Sequence, residues 1–121
     1  MTRTAFLLFL AAYPMIANAG DAARGQTLYQ TRCTTCHSID YNGVGPAHKG
    51  LFGRKAGSVA DYAYSPAVQA STVIWSAQTL DKWLTNPEKF IPGQKMGFMV
   101  PNAKDRADLI AYLKKETVAK P

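Results

Sequence analysis

Beyond Gly20, apolar positions recur at helical rather than strand spacing. After Asp21 come Gly25, Leu28, Tyr29, Arg32 and Cys33, at offsets of 0, 3, 4, 7 and 8. That spacing predicts a first helix with this stripe facing inward and Asp21 as its N-cap. Ser65-Pro66 sets a capping hydroxyl before a first-turn proline, which predicts a short helix over 66–70. Ser76 caps another, with Leu80, Trp83 and Leu84 on one face, and Asn86-Pro87 ends it. Asn102 and Asp105 open the last, whose stripe is Leu109, Tyr112 and Leu113 and whose negative end carries Lys114 and Lys115. Residues 38–57 and 91–101 are punctuated by Gly and Pro and read as loop. No run alternates as a strand would, so the expectation is an all-α fold of about four short helices and long loops.

The first nineteen residues follow a different pattern. Arg3 precedes an unbroken apolar run over 5–12, and Ala17-Asn18-Ala19 offers small residues at both cleavage positions. This is the three-part form of a secretory signal peptide, and the run is shorter than the ~18–20 residues that cross a bilayer. We therefore expect a leader at 1–19 cleaved after Ala19, one domain at 20–121, and a periplasmic location. A retained anchor is the alternative.

Composition narrows the chemistry. A chain of 121 residues holds one small domain, too short for a Rossmann enzyme, a TIM barrel or a kinase. Short helices and glycine-rich loops bury little surface, and such domains usually need a staple. Only two cysteines and two histidines are present. Three of these four fall together in Cys33-Thr34-Thr35-Cys36-His37, the C-x-x-C-H signature of covalent c-type haem attachment. Two thiols three apart on a helical turn reach one edge of a porphyrin, and the next imidazole reaches the iron. The competing readings are a disulfide, a thioredoxin-type dithiol and a zinc site. The dithiol lacks its βαβ context, and zinc would have only His48 as a fourth ligand.

On these residues the chain resembles class I cytochromes c, the small bacterial proteins similar to the mitochondrial one. The resemblance covers essentially all of 20–121. It includes Gly25 and Tyr29, Cys33 to His37, Gly45-Pro46, Gly50-Leu51-Phe52-Gly53-Arg54-Lys55, Trp75 and Asn86-Pro87. It continues through Ile91-Pro92-Gly93-Gln94-Lys95-Met96 and the segment 106–113. The residues alone do not choose between Met96 and Met99 as a thioether ligand. The resemblance implies Met96 opposite His37, with one haem c held through Cys33 and Cys36. It also implies that the Pro46 carbonyl orients His37, that Arg54, Tyr64 and Trp75 meet the haem propionates, and that Gly25 lets the first and last helices cross closely. Three departures stand out. The segment between His37 and Pro46 is shorter than in the mitochondrial protein. Trp83 stands where relatives often have a tyrosine near the methionine sulfur. His48 takes a position usually apolar and haem-packing, and reads as a surface histidine, a pocket residue or a substitute for Met96.

Fourteen Lys and Arg against eight Asp and Glu give a net charge of +6. By resemblance Arg24, Arg32, Lys89 and Lys95 ring the haem edge and steer the protein to acidic faces of periplasmic redox partners. Export and the lack of aromatic–basic interleaving count against nucleic acid. The function implied is that of a monomeric, non-enzymatic electron carrier linking a quinol-oxidising complex or dehydrogenase to a terminal oxidase or reductase. The alternatives are a dedicated electron-accepting subunit of one dehydrogenase and, further off, a haem peroxidase or gas sensor with an open iron site.

Overall fold

The computed structural model describes residues 20–118, together with Ala11 and Ala12. The expected leader otherwise lies outside the described residues. Five helices follow in order: α1 (Ala22–Arg32), α2 (Pro66–Gln69), α3 (Ala77–Thr85), α4 (Pro87–Phe90) and α5 (Ala103–Thr117). None of the described helices is long and apolar enough to cross a membrane.

Each helix begins where a short polar side chain can take up a free backbone N–H. Asp21 accepts from Arg24, Ser65 from Val68, and Asn102 from Asp105. Ser76 and Thr79 form a reciprocal capping box. The Asn86-Pro87 pair does more than end α3. Its asparagine accepts from Lys89 N–H and starts α4, making five helices rather than about four. The other departure is Arg32, which does not join the buried stripe of α1; only Gly25, Leu28 and Tyr29 are buried there. A long cationic side chain escapes burial by reaching outward, and its Nη2 lies 3.1 Å from Asp105 Oδ2.

The packing centre is the crossing of α1 on α5. A Cβ built on Gly25 would overlap the Asp108 carbonyl oxygen, so only glycine lets the two backbones come this close. Beside that crossing Asp108 is almost fully buried yet fully partnered. It accepts from Asp21 N–H at 2.8 Å, Arg24 Nη1 at 2.6 Å and Lys104 Nζ at 2.9 Å. Arg24 also spans to Asp105, Nη2 to Oδ1 at 2.6 Å. A charge at this depth is tolerable only because it is paired and hydrogen-bonded. The apolar side chains of α1, α3 and α5, among them Leu28, Leu80, Leu84, Leu109 and Leu113, form one cluster with Trp75, Val100 and Leu51.

The Asp21 N–H, with Arg24 and Lys104, holds the Asp108 carboxyl down to about 2, below its ordinary value. A folded-state value below the unfolded one adds stability above the unfolded pKa that is lost as pH falls through the folded one. Wild-type protein should therefore lose stability from about pH 4 towards pH 2. The Asp108→Asn variant should melt lower at pH 7 and show a flatter dependence across that window. Urea midpoints measured from pH 7 to 2 check this; parallel curves for the two proteins would contradict it.

Candidate functional site

A cavity of about 610 Å³ lies against the inner faces of α1, α3 and α5. Leu51, Leu80, Leu84, Leu109 and Leu113 make much of its wall apolar. All eight residues singled out as cofactor-binding border it: Cys33, Cys36, His37, Pro46, Arg54, Tyr64, Trp75 and Met96. So does His48, which is not a surface histidine.

Cys33, Cys36 and His37 sit on one tight turn that continues α1. Cys33 N–H bonds Tyr29 O at 2.9 Å, and both Cys36 and His37 N–H bond Cys33 O, at 3.1 and 2.8 Å. The two thiols are not joined in a disulfide. Burial pushes the Cys33 thiol up to about 11. A redox dithiol needs the opposite shift, towards thiolate at neutral pH, so the direction speaks against that reading. Among the described residues no group of three or more His, Cys, Asp or Glu is arranged to take a metal ion.

The His37 ring is closely held. Its Nδ1 lies 2.9 Å from Pro46 O, where N–H donates and leaves Nε2 free to act as a ligand. A Cβ on Gly45 would overlap Cε1 and lie 2.6 Å from both ring nitrogens. The His48 ring stacks on His37, with centroids 4.2 Å apart and planes 20° apart. Burial lowers the His37 pKa from its ordinary value, and Arg54 adds to the effect against the Pro46 bond. His48 stands beside His37, so it is not placed as a stand-in for Met96 on an opposite side.

Elsewhere the wall is polar. Trp75 and Arg54 are brought side by side by paired backbone bonds, Gly53 N–H to Trp75 O at 2.8 Å and Trp75 N–H to Arg54 O at 2.9 Å. Arg54 Nη1 donates to Lys49 O at 2.7 Å, whereas its buried Nε has no partner. Desolvation lowers the pKa of this half-buried guanidinium, and among the described residues no carboxylate pairs with it. The Tyr64 hydroxyl accepts from Val59 N–H at 3.0 Å, which leaves its own hydrogen to give. Trp83 meets Trp75 edge-on at 5.5 Å. Met96 is half-buried and borders the cavity; Met99 is 53% exposed and does not. The Met96 loop is tied down by Val100 N–H to Leu84 O at 2.7 Å and by Arg106 Nη1, which donates to the Val100 and Pro101 carbonyls.

These features fit a large, mostly apolar group that carries negative charge. The orphaned Arg54 Nε and the unpaired guanidinium call for an anion, and the thiol pair on its turn is consistent with c-type haem attachment.

The family model for cytochrome c matches residues 22–117. Cytochrome c of Gibberella zeae is 48% identical over 102 residues, covering 81% of this chain and 96% of that protein. That of Arabidopsis thaliana is 46% identical over 106 residues, covering 84% and 95%. Among solved structures, cytochrome cH from Methylobacterium extorquens superposes with a TM-score of 0.75 at 45% identity, covering 79% of this chain and 99% of that one. The chain belongs to the cytochrome c family, as a small class I c-type cytochrome. Its single C-x-x-C-H motif makes it a monohaem electron carrier between redox partners rather than an enzyme.

Gly45→Ala should drive the His37 ring off the Pro46 carbonyl. Overpacking of this kind lowers the melting temperature by roughly 5–15 °C and should displace the His37 ring resonances in NMR spectra. Wild-type values for both would show that the close contact is not needed.

Proposed function

We propose that this chain carries single electrons in the periplasm, from a quinol-oxidising complex or a dehydrogenase to a terminal oxidase or reductase. The observation that carries this reading is the convergence of Cys33, Cys36, His37 and Met96 on one largely apolar cavity. A bound c-type haem supplies reversible one-electron exchange at its iron. The chain's own residues do the rest. Cys33 and Cys36 would hold the haem through thioether bonds. His37 would offer Nε2 to its iron because Pro46 engages Nδ1. Met96 would offer its sulfur, a reading supported by the exposure of Met99 away from the cavity. A thioether favours the reduced state and raises the potential. Holding the iron through His37 and Met96 together would favour one-electron exchange over binding of a substrate there. Arg54, Tyr64 and Trp75 receive the propionates; the unpartnered Arg54 Nε and the free Tyr64 hydrogen support this.

Residues 1–19 act as a leader cleaved after Ala19, and the mature protein works as a monomer. Partners dock at the basic edge of Arg24, Arg32, Lys89 and Lys95, all four exposed. Arg24 and Arg32 share their charge with Asp105, and Arg24 also with Asp108, so Lys89 and Lys95 act as the less compensated cations.

Protein matured in a haem-attaching host should be heavier by one tetrapyrrole, by mass spectrometry, and should give a c-type haemochrome. Met96→Leu should lose the weak red charge-transfer band of the ferric protein and fall in potential, while Met99→Leu keeps both. A colourless wild-type protein would end the reading, and loss of the band in Met99→Leu alone would move the ligand. Electron transfer to an acidic partner should slow severalfold between low and physiological salt, with the larger effect from Lys89→Gln and Lys95→Gln. A salt-independent rate would remove electrostatic steering.

A further inference from the structure

Three side chains form a line from the buried face of α1 to the axial imidazole. Tyr29 is 3% exposed, and its hydroxyl lies 2.9 Å from His48 Nδ1. His48 in turn stacks on His37. From α5 the Tyr112 ring braces Tyr29, with centroids 5.2 Å apart. The Tyr29 hydroxyl and His48 Nδ1 share one hydrogen bond, whose donor is set by the imidazole tautomer. An aliphatic side chain at 48 would fill this place but leave the buried Tyr29 hydroxyl without this partner. The contacts that distinguish His48 from such a filler are its bond to Tyr29 and its stack on His37.

We propose that His48, held by Tyr29, is a positioning residue that fixes the plane of the His37 ring and thereby tunes the iron that His37 ligates. This rests on the haem attachment and His37 ligation of the preceding section. The Pro46 carbonyl holds His37 at one point, Nδ1, and the Gly45 backbone crowds the ring. A second ring lying nearly parallel against it adds a planar restraint on the ring's rotation about the line through Nδ1 and Nε2. The plane of an axial imidazole decides which of the two iron orbitals of π symmetry lies higher in the ferric state. It is therefore read directly in the EPR g-values and in the paramagnetic shifts of the porphyrin methyl groups. Orientation by an outer contact is the usual way a protein tunes a ligating histidine. Here that contact is a stacked ring anchored to the first helix.

The test uses the haem-loaded full chain and three variants: His48→Leu, His48→Phe and Tyr29→Phe. His48→Leu removes both the bond and the ring. It should change the ferric g-values and the methyl shift pattern and raise the reduction potential, because an aliphatic wall disfavours the more charged ferric state. Tyr29→Phe removes only the bond and should move the same signals less. His48→Phe retains a ring and should lie closer to wild type in g-values than His48→Leu. Wild-type g-values, methyl shifts and potential in His48→Leu would overturn the proposal even if that variant melts lower, because the residue would then be packing alone. Should His48→Leu fail to mature, Tyr29→Phe decides alone, and an unchanged spectrum overturns the proposal. A wild-type chain without haem fails the underlying functional reading; loaded variants with unchanged spectra fail only this one.

Discussion

The same leucines close the core and wall the cavity, and the rest of the structure follows from that double use. Leu51, Leu80, Leu84, Leu109 and Leu113 belong to the buried cluster and also border about 610 Å³ of space. Two of the five helices are only four residues long, and long loops join them. Such elements cannot meet in a dense centre by themselves. An apolar group held in the middle supplies contacts that helix-on-helix packing leaves unmade, and anything that binds only the folded chain stabilises it. Stability and function therefore share one set of residues, and a change in the wall is felt by both.

Polar groups near this apolar centre are either partnered within the chain or left open beside the cavity. Asp108 belongs to the first kind, with three donors about one buried carboxylate. Arg54 belongs to the second, with a buried nitrogen that no described residue satisfies. His37 is both: Pro46 accepts from one nitrogen, and the other is left available. Asp108 is served from the helices, whereas around the cavity the loops carry most of the polar groups. Pro46, Arg54, Tyr64, Trp75 and Met96 all stand outside the five helices. That explains why a chain with so little regular structure still builds a specific site.

Much of this was legible from residue order. Local signals with a direct physical cause, the caps at Asp21, Ser65, Ser76 and Asn102 and the C-x-x-C-H turn, appear in the structure where the spacing put them. α4 was missed although Asn86-Pro87 repeats the polar-proline signal that revealed α2. One asparagine both closes α3 and opens α4, and proline was read only as a stop. Arg32 was drawn inward by helical offset alone, which ignores that a long cation follows its counterions. For His48 the sequence leaves a surface, a pocket and a ligand reading open, because its surroundings are set by a helix 19 residues earlier in the chain and a ring that only the folded loop brings alongside.

The bond between Asp21 N–H and Asp108 joins residues 87 apart, so the first helix cannot be locked against the last until nearly the whole chain is present. The thiol turn directly follows that first helix. Cys33 and Cys36 therefore precede, in the order of synthesis, the element whose packing holds the helix they extend, so the two ends of the chain, not its middle, decide when that helix is fixed in place.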